Sequence, residues 1–167
     1  MALFDAVRSA LEEMEVGFEG DDAHLRFGAR MENGQYDCFI DIDEEKSLVA
    51  CYVYLSPRVP PNNRATVNEF LTRLNFFWMG LGNFEMHFDE GVVRCRTSIA
   101  VDGGKLMPPM VQALVHTGIH SLDACAPWIM KIVYANLAPT TAFESMMAEL
   151  PGAEGNESGA ADVPDEI

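Results

Sequence analysis

Residues 35–55 hold two neighbouring apolar runs of different periodicity, and together they point to an antiparallel sheet. From Gln35 to Asp43, Tyr36, Cys38, Ile40 and Ile42 alternate with Asp37, Phe39, Asp41 and Asp43. A period of two with one apolar side marks a strand with one buried face and one largely wet face. After a turn at 44–46, Ser47 to Leu55 is apolar on both sides, Val49, Cys51, Val53 and Leu55 against Leu48, Ala50, Tyr52 and Tyr54. Such a strand belongs at the centre of a sheet or under cover on both faces. Ala23 to Arg30 reads as an earlier strand, joined through Asn33-Gly34, a pair that accepts the positive φ of a tight hairpin. Asn83 to Phe88 and Val92 to Val101 form a second hairpin across Asp89-Glu90-Gly91.

Helical periodicity frames these strands. Leu3, Phe4, Val7, Ala10, Leu11 and Met14 make one stripe, ended by Gly17. After Pro57, Pro60 and Pro61, with Asn62 or Asn63 as a cap, a second stripe carries Val67, Phe70, Leu71, Leu74, Phe77 and Trp78. A third helix follows Asp102-Gly103-Gly104, with Pro108 and Pro109 in its first turn, where amide donors are unpaired anyway. Its inner stripe is Leu114, Val115, Gly118, Leu122 and Cys125, and it runs to about Asn136, with Pro127 expected to kink or split it. The order α-β-β-β-α-β-β-α predicts an α+β fold, a mainly antiparallel five-stranded sheet with helices on one face.

The C-terminal part is of another kind. Thr141 and Glu144 have capping-box spacing, and Phe143, Met146, Met147 and Leu150 follow at helical intervals. This divides the chain into a domain at 1–137, an extra short amphipathic helix at 138–150, and an acidic tail at 151–167 too poor in apolar residues to order.

Charge limits the partners. The chain of 167 residues carries −15, of which seven acids and no Lys or Arg lie at 138–167. The body is therefore acidic too, and without a basic patch it repels phosphate backbones and anionic lipid. Direct nucleic-acid and membrane binding are not expected, whereas a basic partner protein gains in encounter rate. No apolar run approaches the roughly 20 residues that cross a bilayer. The N-terminus lacks the apolar block of a secretory leader, so a cytoplasmic protein with reduced core thiols at Cys38, Cys51, Cys95 and Cys125 is expected.

The residues offer little chemistry. Asp102-Gly103-Gly104-Lys105 lacks phosphate-loop spacing and reads as a turn. Asp41, Asp43, Glu44 and Glu45 crowd a hairpin without the calcium-loop pattern. Ser98, Ser121 and Ser145 have no nucleophile context, and His24 and His87 stand in strands without an evident partner. His116 and His120, one helical turn apart with Asp123 nearby, form the one metal-like set, and it lacks a fourth ligand. No catalytic residue and no cofactor is expected.

A misplaced set of large residues is more informative. Phe76 and Met79 fall off the second helix's stripe, and Phe39, Tyr52 and Tyr54 lie on the less apolar sheet face. Surface of this kind is covered by another chain, most simply a second copy, or by the chain's own helix carrying Phe143, Met146 and Met147.

The stretch Val67-Asn68-Glu69-Phe70-Leu71-Thr72-Arg73-Leu74-Asn75, then Gly82-Asn83-Phe84-Glu85-Met86, then Asp123 to Pro127, resembles the YbjN-domain family, also described as candidate bacterial sensory transduction regulators. The resemblance spans about residues 3–136. It implies a fold similar to type III secretion chaperones, which are small, acidic, dimeric proteins that bind an extended client segment. It implies no catalytic residues. The added helix at 141–150 and the acidic end depart from the pattern and would alter or block such a groove. The expected function is thus a non-catalytic interaction module, chaperone-like or regulatory, acting as a homodimer on a partner protein. A metal-binding sensor or enzyme using His116, His120 and Asp123, and a small-molecule sensor with a pocket between sheet and helices, are the alternatives.

Overall fold

The computed structural model describes residues 2–150. The elements are α1 (Ala2–Glu13), β1 (Glu19–Gly20), β2 (His24–Arg30), β3 (Gln35–Asp43), β4 (Leu48–Tyr54), α2 (Arg64–Phe77), β5 (Asn83–His87), β6 (Val92–Ala100), α3 (Pro108–Ala135) and α4 (Pro139–Glu149). The sheet is antiparallel throughout, in the order β1-β2-β3-β4-β6-β5. The five expected strands are present, and the two-residue β1 adds a sixth. Its signal was Gly20-Asp21: Gly20 takes φ 134°, and Asp21 Oδ1 accepts the amides of Ala23 and His24 to close the turn.

β4 is central, between β3 and β6, as its two-sided apolar pattern requires. Val49, Cys51 and Val53 face the helices together with Leu25, Phe27, Cys38, Ile40, Val93 and Cys95. α1 and α3 lie against each other, and α3 lies on β4 and β6. Gly118 sets the approach: a methyl group there would stand 3.1 Å from Val53 Cγ2. The buried Thr97 hydroxyl donates to the Leu114 carbonyl at 2.9 Å, so this close contact leaves no polar group unpaired.

Several local expectations change. The β2–β3 turn is centred on Glu32-Asn33, closed by the Met31 amide donating to the Gly34 carbonyl at 2.9 Å, and neither Asn33 nor Gly34 has positive φ. α1 stops at Glu13 because Glu15 takes φ 56° and the Val16 amide returns to the Leu11 carbonyl, before Gly17 is reached. Neither Asn62 nor Asn63 caps α2 with its side chain, because a 3-10 turn at Pro61–Asn63 leads directly into the helix. Pro127 does not split α3, which runs unbroken to a left-handed Asn136. Glu44 lies in more than a solvated turn: its Oε1 accepts the amides of Leu3 and Phe4 at 2.9 and 3.2 Å, capping α1 from across the fold.

α4 does not cover the sheet. It packs against α2 and α3, with Ala142 and Met146 entering the core. The expectation for 151–167 lies outside the described residues. No helix among the described residues is long and apolar enough to cross a membrane.

Candidate functional site

The metal-like set comes apart in three dimensions. His116 and His120 are exposed on α3 with stacked rings 5.9 Å apart. Asp123 is 7% exposed and turns to the β2–β3 hairpin. Its Oδ1 accepts the Tyr36 hydroxyl at 2.7 Å and the Asn33 amide at 3.0 Å, and its Oδ2 accepts Asn33 Nδ2 at 3.2 Å. A carboxylate so engaged is structural, and the proposed triad is corrected to an exposed histidine pair. Among the described residues no three His, Cys, Asp or Glu side chains group as metal ligands.

The thiols are poor nucleophiles. All four cysteines are buried and free. Burial pushes Cys38 and Cys95 up to about 12, and raises Cys51 and Cys125 as well.

Among the described residues two surfaces carry large side chains that nothing covers. The first is the sheet face away from the helices. Phe39, Tyr52 and Tyr54 lie half-buried at its centre, Phe39 edge-on to Tyr54 with centroids 5.5 Å apart. The Arg94 guanidinium lies 4.4 Å above the Tyr52 ring, donates to the Tyr54 hydroxyl at 2.9 Å, and donates through Nε to Glu85 Oε2 at 2.6 Å. Burial pushes the Glu85 carboxyl up, but the Asn83 amide and the Arg94 guanidinium overcome it and hold Glu85 below the ordinary carboxylate range. Arg96 lies 6.0 Å from the same Tyr52 ring, and Arg26 lies 5.7 Å from Phe39. Arginine planes laid on aromatic rings make a firm, amphipathic platform. Beside it, Tyr54, Glu85, Met86, His87, Val92 and Arg94 line a surface cavity of about 460 Å³, on the open side of the sheet and not between sheet and helices.

The second surface lies where α2 ends. Phe76 is 68% and Phe77 60% exposed. Their rings meet at 4.7 Å, and Phe77 meets Phe143 of α4 at 5.6 Å. Helical spacing places Phe77 on the inner stripe, but α2 ends at this residue and its ring lies against Phe143 of α4. Met79 and Met147 are half-buried beside the core. Met146, expected at the interface, is 1% exposed and belongs to the core instead, because α4 packs this part of its stripe against α2 and α3. The sequence pattern revealed Phe76 but hid Phe77, Arg94 and Arg96, because helical and strand periodicity do not show which side is left uncovered.

No family profile matches the chain, and no curated protein sequence matches it. Solved structures do. A chain of the HopA1-SchA chaperone-effector complex aligns at TM-score 0.47 and 15% identity, over 73% of this chain and 91% of its own. YbjN from E. coli, a candidate transcription regulator, aligns at TM-score 0.56 and 14% identity, over 80% of this chain and 93% of its own. At that identity the likeness is one of architecture, and this chain has the YbjN fold.

Proposed function

We propose that the chain is a non-catalytic protein-binding module that works as a homodimer and holds or regulates a partner protein. The observation that carries this reading is the contiguous ring cluster in which Phe76 and Phe77 stand exposed and Phe77 meets the half-buried Phe143. Rings held in water forgo the stabilisation that burial brings, and such patches mark contact sites. The cluster is shared by α2 and α4, so the helix that departs from the family pattern helps to build the surface. The net charge of −15 favours a basic partner, and the regulator description of YbjN fits a role through protein contact.

The test is co-purification with mass spectrometry, using the full chain and a Phe76→Glu variant. A partner captured reproducibly by the native chain and lost with Phe76→Glu is the expected result. A partner retained in full by the folded variant refutes the assignment of this surface. Light scattering tests the homodimer separately.

A further inference from the structure

Among the described residues the helices cover one face of the sheet only, and the strand register gives the other face a pattern that matches itself. Antiparallel pairing aligns two rows of side chains across the long strands. One row reads Gly28, Asp37, Tyr54, Arg94, Glu85, and the next reads Arg26, Phe39, Tyr52, Arg96, Asn83. β4 is the middle of both. Turning a second sheet over about an axis along β4, between the two faces, exchanges left and right and keeps each row in place. Asp37 of one copy then opposes Arg94 of the other. Glu85 opposes Gly28, beside Arg26 and Arg30, and Arg26 opposes Asn83, beside Glu85. In the second row Arg96 opposes Phe39, where a guanidinium stacks on a ring. Tyr52 and Tyr54 lie against their own counterparts. No charge in the two rows meets its like.

Net charge agrees. On this face Arg26, Arg30, Arg94 and Arg96 stand against Glu19, Asp37, Asp41, Asp43 and Glu85, four against five, a net of −1 in a chain of −15. The remaining −14 lies elsewhere. Two acidic chains repel over most of their surface, and this face is where two copies approach without like charges opposed. Its centre, with the half-buried Tyr52, Tyr54, Phe39 and Leu48, is apolar enough to gain from being covered.

We infer that the open sheet face is the contact between two copies of this chain, stacked face to face at the usual separation of about 10 Å, with Tyr52 at the twofold axis. The Phe76–Phe77–Phe143 cluster is then left for the partner protein. This rests on the homodimer reading above and assigns its surface.

The experiment measures mass by sedimentation and light scattering from about 1 to 200 μM, a range chosen to span ordinary dimer affinities. The native chain is compared with Tyr52→Glu, Tyr52→Lys, Asp37→Arg and Phe76→Glu, each checked for folding by circular dichroism. A residue on a twofold axis faces itself, so Tyr52→Glu and Tyr52→Lys are each expected to weaken self-association at least tenfold, and an equimolar mixture to restore it. Asp37→Arg is expected to weaken it to a similar degree, and Phe76→Glu to leave it unchanged. If a Tyr52 variant fails to fold, Asp37→Arg, at an exposed position, decides the matter. A native dimer that persists in folded Tyr52 or Asp37 variants, or that only Phe76→Glu disrupts, overturns this interface while the homodimer stands. A mixture that stays monomeric also overturns it. A native chain that is monomeric throughout removes the homodimer reading itself.

Discussion

Asp123 stands where α3 lacks a donor. Pro127 has no amide hydrogen, so the carbonyl four residues earlier, that of Asp123, loses its helical partner. Asn33 Nδ2 fills the gap, donating to the Asp123 carbonyl at 3.2 Å, while the Asp123 side chain binds the Tyr36 hydroxyl and the Asn33 amide. The hairpin tip and the proline site thus complete each other's hydrogen bonds, and α3 continues through Pro127 unbroken. Asp123→Ala is expected to cost about 3 kcal/mol, because it leaves a buried hydroxyl and an amide unpaired where a charged acceptor stood. Urea denaturation measures it, and a loss below about 1 kcal/mol would contradict the role. The sequence showed Asp123 and the Asn33-Gly34 turn separately. Their contact, 90 residues apart along the chain, leaves no trace in local periodicity. For the same reason a helical wheel grouped Asp123 with His116 and His120, although a docking hairpin buries only the first of them.

At the level of elements, the β5 edge shows how the fold limits edge-to-edge strand pairing. β5 is an edge strand, and α2 closes part of that edge with one side chain. Asn75 Oδ1 accepts the Phe84 amide at 2.7 Å, and Asn75 Nδ2 donates to the Phe84 carbonyl at 3.0 Å, as a neighbouring strand would. Asn75→Ala is expected to cost about 1–2 kcal/mol and to speed hydrogen exchange at the Phe84 amide. Unchanged exchange there would show that the cap is dispensable. Both Asn75 and Phe84 lie in segments that carry the family resemblance, which gives that resemblance a physical content. The elements themselves were largely legible: strand periodicity found five strands, and helical periodicity found four helices. β1 escaped because two residues carry no period, and its pairing rests on the Asp21 turn.

For the whole molecule, the question is whether α4 is an appendage. Its place beyond the segments that carry the family resemblance sets it apart from residues 1–137, yet Ala142 and Met146 pack into the same core as α2 and α3. A chain ending at Leu137 is expected to lose at least about 3 kcal/mol, in line with removing a buried methionine and the neighbours it covers. It is also expected to bind a hydrophobic dye. Equal stability by urea denaturation, with no dye binding, would make α4 dispensable. The sequence by itself determined the alternation of each strand, the central place of β4, the stripes of the helices and the excess of negative charge, because these depend on neighbours within a few residues. Only the tertiary structure decided that Met146 is core while Phe76 and Phe77 are in water, and that Arg94 and Arg96 lie over Tyr52 on the open face. Those outcomes depend on which surfaces meet across the fold, and an amphipathic segment specifies that it has a face to bury without specifying against what.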